Sequence, residues 1–494
     1  MSRLSAIYNI KPHYLVLLSF VGYFLLAFFF PLIPNCDRQP VGDIRTFAPG
    51  MVSGILYAIL ILGLFALYWL LYRQTLNNSS PSLKTILSFS FFLSVPLLFM
   101  YPINANDVYR YVIRGLISSH YGMSPFEYAP ADFGDALYPL LAGEWYSTTS
   151  PYGPLWESLA FLVTSIGREN FLINILIFKL VGLVSVLLIG VILWRLFPLR
   201  APRGSFKDNK RLAFTVLWVL NPALLLTFVG NAHNDALMIL FLLSGWLVIN
   251  LGYRGPGFLL IIAASLFKPI AILAAPIVFL SSLREMDQNF ERIAYLLWVF
   301  AGGTALLFLS FLPFGEPLPL ITRLVQEATA GASFSPLALI ILVTRKIGVP
   351  ISIGAIAKLA TVLFLIVYFW VLWRTWRGRP AELGLGVTFW GYIFQALNFR
   401  IWYASWPFPW LLVDALIEDR SAIHRLQAGG WFLLTSQLSV IIYGHLRVAF
   451  LGGDILLAHL IGVLFVFVLP FVLAQFPILD PYNNSLGKTL PGVD

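Results

Sequence analysis

The sequence predicts an all-α fold, a polytopic transmembrane helical bundle of about 12–14 spans. Hydrophobic residues make up 59% of the chain and charged residues 11%, whereas about 25% of the residues of a soluble domain are charged. Many apolar runs reach 18 residues or more, which is long enough for a helix to cross a bilayer. The lipid bilayer is therefore the first partner that the sequence predicts.

The remaining composition excludes several other classes of protein. The net charge of +9 does not predict nucleic-acid binding, because Lys and Arg lie in the short loops between apolar runs and orient the spans. Cys36 is the only cysteine, so the chain can form neither an internal disulfide nor a cysteine metal cluster. The six His residues show no H-E-x-x-H spacing, and no glycine-rich nucleotide motif occurs. We expect no cofactor and no metal.

Apolar runs place the spans along the chain, and two segments interrupt the pattern. The run 153–166 has about 14 residues, too few for a span of about 20, so we expect it to lie in the outer interface. Lys268-Pro269 breaks the run 257–283, because proline ends or kinks a helix. We interpret this run as a hairpin with Lys268 near its outer tip, or as one crossing if 335–347 also crosses. The other predicted spans are 14–31, 51–72, 85–101, 171–195, 212–229, 234–252, 292–313, 352–375, 383–398, 404–417, 428–446 and 453–476.

The distribution of basic residues predicts the orientation. The loop from Arg195 to Arg211 is the most basic in the chain and is therefore predicted to be cytoplasmic. This orientation places both chain termini in the cytoplasm and the segments 102–170 and 314–351 outside. We divide the chain into two N-terminal spans (1–84), a core with amphipathic helices in its external loop (85–283), and a C-terminal set of helices (284–494).

Ionisable residues collect at the predicted outer ends of the spans. Such groups are costly near hydrocarbon and indicate function by default. Their shared position predicts one external site in which Asp107 lies opposite several cations. The residues are Asp107, Arg110, His233, Asp235, Lys268 and Arg400.

Asp107 is the candidate catalytic residue. It follows the third span, beside Asn104 and Asn106 and one helical turn before Arg110. A carboxylate in this position can accept the proton of an attacking sugar hydroxyl, which typically contributes about 10²–10⁴ in rate. The alternative is a helix N-cap, an ordinary role for Asp or Asn after a proline.

The basic candidates have structural alternatives as well. Lys268 would bind a phosphate, or it would pair with Asp235 beside Asn234 or extend to the interface. Arg400 would bind a phosphate with two hydrogen bonds or stack on Trp402. His233 would donate to a phosphate or cap a helix.

Aromatic and turn residues complete the candidate site. Trp402, Tyr403 and Trp406 have the composition of an interfacial aromatic belt, and the alternative is that they pack against sugar rings. Tyr152-Gly-Pro154 predicts a tight turn that begins the helix of the 153–166 run. Glu157 and Glu127 could bind acceptor hydroxyls or a metal, but their spacing requires neither.

These motifs resemble the GT-C class of glycosyltransferases, and in particular the bacterial polyprenyl-phosphate-mannose-dependent mannosyltransferases. The resemblance rests on five local matches in order over residues 100–410. They are Asn106-Asp107, Ser-Pro-Tyr-Gly-Pro-Leu155, Asn234-Asp235, Phe267-Lys-Pro269 and Trp402-Tyr-Ala-Ser-Trp-Pro407. Two spans precede the one that we match to the first span of that family, so the N-terminus is extended.

The resemblance implies an activity. The expected reaction is inverting transfer of a sugar, mannose by resemblance, from a polyprenyl-phosphate donor to a glycan or lipid-linked acceptor outside a bacterial plasma membrane. Asp107 would be the base, and Lys268, Arg400 and His233 would stabilise the departing phosphate. The alternative function is a lipid-linked sugar transporter or flippase, because broken helices and an intramembrane lysine also occur in transporters.

Overall fold

The computed structural model describes residues 10–77, 81–134, 145–200, 208–329, 332–349, 351–417 and 419–476. Within these ranges the chain forms helices and no β-strand, which confirms the predicted all-α class. The longer helices are α1 (Pro12–Phe29), α2 (Met51–Asn77), α3 (Leu83–Leu98), α4 (Asp107–Ser119), α5 (Pro154–Gly167), α6 (Phe171–Arg200), α7 (Asp208–Val219), α8 (Asp235–Asn250), α9 (Arg254–Phe267), α10 (Ala274–Arg284), α11 (Asn289–Phe311), α12 (Leu318–Thr329), α13 (Pro336–Lys346), α14 (Ile353–Trp376), α15 (Ala381–Gln395), α16 (Phe408–Asp414), α17 (Arg420–Ala449) and α18 (Ile455–Leu473).

Seven of the described helices are long and apolar enough to cross a membrane by themselves, namely α1, α2, α6, α11, α14, α17 and α18. An eighth span results if α7 and the helical turns at Pro222–Gly230 are counted together. The structure thus has seven or eight described helices long enough to span, fewer than the predicted total of about 12–14. The prediction also counted apolar helices that have only 10–17 residues in the structure, such as α3, α8 and α9. Helix α5 has only 14 residues and is not among the candidate spans.

Two breaks shape the part of the bundle that carries the candidate site. Helix α9 ends at Phe267, Lys268 has extended backbone angles, and a 3₁₀ turn (Pro269–Leu273) leads into α10, which confirms the predicted break. The predicted continuous run 212–229 is instead bent by 41° between α7 and Pro222–Gly230. Pro222 lacks the N–H that a continuous helix would use there.

A buried lysine joins the two segments that lead into the site. Lys179, on α6, is fully buried, and its Nζ donates to the carbonyl oxygens of Leu97 at 3.0 Å and Val229 at 3.2 Å. It also donates to the carbonyl of Gly230. Carbonyls at helix ends lack intrahelical partners and cannot be left unsatisfied away from water. Lys179 thus fixes the end of α3 and the end of the π-helical turn Leu226–Gly230 relative to each other.

The N-terminal helices support the chain that precedes α4. The Tyr101 amide donates to the Phe30 carbonyl at 2.7 Å, and the Ile44 amide donates to the Ile103 carbonyl at 3.0 Å. The Gly42 amide donates to the Tyr101 hydroxyl at 3.0 Å. These bonds attach the link between α1 and α2 to residues 101–103, just before Asp107.

The turn before α5 packs directly against the break at Lys268. Pro154 is the first residue of α5 and Gly153 its N-cap, which confirms the predicted turn and helix start. The Gly153 amide donates to the Phe267 carbonyl at 3.2 Å. A Cβ atom on Gly153 would lie 2.1 Å from the Leu266 carbonyl oxygen. This contact requires glycine because the backbones approach too closely for any side chain.

We predict that Gly153→Ala destabilises the protein by roughly 1–3 kcal/mol, the usual cost of inserting a carbon atom into a packed contact. The thermal unfolding midpoint of the purified protein in detergent measures this loss. Gly63→Ala, on α2, is the matched control, because a Cβ there meets no atom within 4 Å. Equal midpoints for the two variants would contradict the predicted contact.

Candidate active site

Asp107 is the first residue of α4, and its carboxylate is buried between two basic side chains. Its Oδ1 lies 2.8 Å from Nη1 of Arg110, and its Oδ2 lies 2.9 Å from Nε2 of His233. Asn106, and not Asp107, is the N-cap residue of α4, and its side chain makes no capping hydrogen bond. The alternative interpretation of Asp107 as an N-cap is therefore wrong.

The surroundings of Asp107 determine its charge. Burial raises the pKa of its carboxyl, but the charges of Arg110, His233 and Arg400 and the hydrogen bond from His233 lower it by more. The net effect holds the pKa of Asp107 well below its usual range. Asp107 is consequently an anion at neutral pH, although its side chain is almost inaccessible to solvent.

His233 connects Asp107 to a second buried carboxylate. Its Nδ1 forms a hydrogen bond with Oδ2 of Asp235, while its Nε2 contacts Asp107. Each ring nitrogen of His233 therefore contacts one carboxylate. In this arrangement His233 neither caps a helix nor has an N–H left for a phosphate, in contrast to both sequence interpretations.

Asp235 is bound by Lys268, the residue at the break after α9. Its Oδ2 accepts a hydrogen bond from Nζ of Lys268 at 2.7 Å, and its Oδ1 accepts one from Nε1 of Trp406. Lys268 also donates to Oδ1 of Asn234 at 3.3 Å. Asp235 begins α8 and Lys268 ends α9, so the two helices run antiparallel. Of the alternatives for Lys268, the structure contains the ion pair with Asp235.

The aromatic residues of the 402–406 motif pack on this network. The Trp402 ring lies 4.1 Å from the His233 ring, centroid to centroid, at an interplanar angle of 31°. Tyr403 stacks on Trp406 at 4.1 Å, and the Lys268 ammonium lies 5.9 Å from the Tyr403 ring centroid. Trp406 is buried, so it does not belong to an exposed aromatic belt.

Arg400 lies near the network without joining it. Its charge acts on Asp107 and on Tyr403. Its carbonyl accepts a hydrogen bond from the Tyr403 amide at 2.9 Å, but its guanidinium has no hydrogen bond or ion pair within the described ranges. It also does not stack on Trp402. Among the basic side chains around Asp107 and Asp235, Arg400 is thus the one without a carboxylate partner in the described part of the chain.

Three other predicted residues lie at the edge of the network. The Asn104 side chain donates to the Tyr57 hydroxyl of α2 at 2.7 Å, so it anchors the loop rather than contacting Asp107. Asn106 has no described side-chain capping bond. Tyr152 packs against Tyr111, with ring centroids 5.2 Å apart. The network itself consists of Asp107, Arg110, His233, Asn234, Asp235, Lys268, Trp402, Tyr403 and Trp406.

Sequence reasoning missed several supporting residues. Tyr111 accepts a hydrogen bond from the Asn234 amide at 3.5 Å. Ala232, just before His233, has a φ of 56°, a backbone region that non-glycine residues seldom adopt. Lys179 and Trp145, whose ring centroid lies 4.9 Å from Cζ of Arg110, were also missed. Only Lys179 carried a sequence signal, as a charge inside an apolar run.

Comparison with known proteins identifies the family. A family described as "Alpha-(1->6)-mannopyranosyltransferase, N-terminal domain" matches residues 16–284, so the matched region begins inside α1. Three curated relatives show how far the similarity extends.

The alpha-(1->6)-mannopyranosyltransferase A of Mycobacterium tuberculosis is 28% identical over 245 residues, 48% of this chain and 45% of the relative. The protein of the same name from Corynebacterium glutamicum is 27% identical over 186 residues, 37% of this chain and 36% of the relative. A probable alpha-(1->6)-mannopyranosyltransferase of Mycolicibacterium smegmatis is 26% identical over 397 residues, 69% of this chain and 67% of the relative.

The matched region covers less than half the length of the first two relatives. The family match nevertheless covers more than half of the 494 residues of this chain, and it includes Asp107, His233, Asp235 and Lys268. The chain therefore belongs to the alpha-(1->6)-mannopyranosyltransferase family of GT-C-type membrane mannosyltransferases.

Proposed function

We propose that this protein transfers mannose from a polyprenyl-phosphate donor to a glycan or lipid-linked acceptor on the extracytoplasmic side of the membrane, with inversion at the anomeric carbon. The observation that carries this proposal is the buried, ionised Asp107 carboxylate near Arg400, a cation that no described carboxylate neutralises. The activities named for the relatives support the choice of mannose and of an α-(1→6) linkage.

Asp107 is the base in this proposal. As the acceptor hydroxyl oxygen attacks the anomeric carbon, its proton passes to Asp107 and the bond from that carbon to the phosphate oxygen breaks. Asp107 is a weak base in its resting state because Arg110 and His233 stabilise its anion. Proton transfer therefore accompanies bond formation, when the attacking oxygen becomes acidic. An α-linked product requires a β-linked donor under this single displacement.

The cations serve the leaving group. Loss of the sugar converts a phosphodiester into a phosphate monoester, so negative charge grows on the phosphate during the reaction. Arg110, Lys268 and Arg400 outnumber the two carboxylates Asp107 and Asp235, so the site holds a positive charge in excess before any charge on His233. Preorganised positive charge of this kind stabilises a developing anion.

The one-sided arrangement favours an enzyme over a transporter. The network joins the start of α4, the start of α8 and the end of α9, and α8 and α9 run antiparallel, so these ends meet on one side of the bundle. A transporter needs a site that opens to both membrane faces. A lipid-bound donor also explains why the site adjoins apolar helices.

We predict that Asp107→Asn lowers the rate of transfer by roughly 10²–10⁴, because the amide keeps the size of the carboxylate but cannot accept the proton. The assay uses purified protein, labelled polyprenyl-phosphate-mannose and mixed glycan acceptors. Asp414→Asn is the matched control, since Asp414 is also buried and paired with an arginine, at 2.6 Å from Arg425. Wild-type turnover by a folded Asp107→Asn would eliminate the proposed base.

We predict that Arg110→Gln moves the acid limb of kcat/KM to higher pH. Asp107 must be deprotonated to act as a base. In the wild type its pKa lies below the ordinary Asp pKa of about 4, so Asp107 stays deprotonated at least down to about that pH. Removing the guanidinium lets the pKa of Asp107 rise, so activity falls earlier on acidification. Measurement of kcat/KM between pH 4 and 8 tests this shift.

The titration of a second carboxyl, that of Glu157, must be distinguished from that of Asp107 in this pH profile. Burial raises the pKa of Glu157 to about 7, against the lowering effects of Arg114 and of the hydrogen bond from Ser150. Both wild type and Arg110→Gln are therefore compared in a Glu157→Gln background. Identical acid limbs for the two proteins in that background would contradict the role of Arg110.

We predict that Arg400→Gln weakens the stabilisation of the leaving phosphate and lowers kcat/KM for the donor by roughly 10-fold or more. Arg400 is a clearer test than Lys268, whose loss would leave Asp235 buried without its cation. Arg379→Gln, which removes the same charge from an exposed position, is the control. Equal donor kinetics for the two variants would remove Arg400 from the phosphate site.

A further inference from the structure

Three arginines from two separate helices converge on the segment Trp145–Ser150. Arg110 and Arg323 place their Cζ atoms over the Trp145 ring, at 4.9 Å and 5.7 Å from its centroid. Arg323, on α12, also donates from Nε to the Thr149 carbonyl at 3.4 Å. Arg114, on α4, donates from Nη2 to the same carbonyl at 3.2 Å. The segment is thus held from α4 on one side and from α12 on the other.

Arg110 contacts Asp107 and Trp145 at the same time. Its Nη1 binds Asp107 at 2.8 Å while its guanidinium lies over the Trp145 indole. A guanidinium over an aromatic face is attracted to it and loses freedom to rotate away. The indole face therefore restricts Arg110 to positions that reach Asp107.

Trp145 contacts the two arginines through the face of its ring and not through its N–H group. The Trp145 Nε1 is buried and has no hydrogen-bond acceptor in the described part of the chain. Arg323 lies over the same ring and in addition approaches Glu327 at 3.6 Å. The external helix α12 thereby supports Trp145, which in turn supports Arg110.

We propose that Trp145 is a positioning residue that holds the Arg110 guanidinium against Asp107, with Arg323 of α12 fixing the indole in place. This inference rests on the proposed function, because it assigns Trp145 a task in the same reaction. It also gives α12, which lies in the predicted external segment 314–351, a role in placing Arg110. Without Arg323 and Trp145, the Arg110 guanidinium would be held less firmly against the Asp107 carboxylate.

The kinetic test replaces the indole while leaving the charged groups in place. Trp145→Leu should lower kcat by roughly 3- to 10-fold, the size expected from one guanidinium–aromatic contact, with little change in the KM of the acceptor. Trp145→Phe retains a ring face and should recover part of the loss. Trp370→Leu is the matched control, because its exposed indole lies 5.2 Å from Cζ of Arg374 on α14.

A double-mutant cycle distinguishes positioning from general damage to the fold. If Trp145 acts through Arg110, Trp145→Leu should have no further effect in an Arg110→Gln background. The acid limb of kcat/KM should also shift to higher pH in Trp145→Leu, as in Arg110→Gln. The groups that act on Asp107 besides Arg110 are His233 and Arg400, and the hydroxyls of Tyr111 and Tyr152 also face it.

A readout without turnover keeps this inference separate from the proposed function. Phenylglyoxal modification of Arg110, followed by mass spectrometry, should be several-fold faster in Trp145→Leu than in wild type or Trp370→Leu. If wild type transfers no sugar while this acceleration is observed, the proposed function fails and the positioning contact stands. Unchanged modification rates, additive effects in the cycle, or a raised acceptor KM at constant kcat would overturn the assignment of Trp145.

Discussion

Buried charges must be paired, and this requirement joins the segments that form the site. An isolated ion away from water costs several kcal/mol, and removing one partner of a buried pair typically costs roughly 3–5 kcal/mol. Asp107 and Asp235 are both buried, and each is bound by cations from other parts of the chain. His233 connects them, and Lys268 and Arg110 complete the pairing. The start of α4, the start of α8 and the end of α9 are therefore fixed together.

The backbone irregularities of the bundle lie where these charges meet. The π-helical turn Leu226–Gly230, the left-handed Ala232 and the proline break after Lys268 all adjoin the network. Each interrupts a helix ladder and leaves backbone groups to be satisfied in another way. Lys179 satisfies the carbonyls at the end of the π turn. Irregular backbone and buried charge therefore depend on each other in this region.

The sequence by itself determined the class of the protein and its local breaks. Composition and run length give an all-α membrane bundle, the Lys268-Pro269 pair gives the end of α9, and Gly153-Pro154 gives the start of α5. Ionisable residues at span ends also identified most of the network, including Asp107 and Asp235. These features can be predicted from the sequence because they depend on residues adjacent in the chain or on a helical period.

The tertiary structure alone decided which groups are partners. His233 lies 126 residues from Asp107, and Trp406 lies 171 residues from Asp235, so no local pattern relates them. Separation in sequence also hid the contacts of Trp145 with Arg110 and with Arg323. A side chain can pair with any opposite charge that the fold brings within reach, and only the packing of the helices selects one.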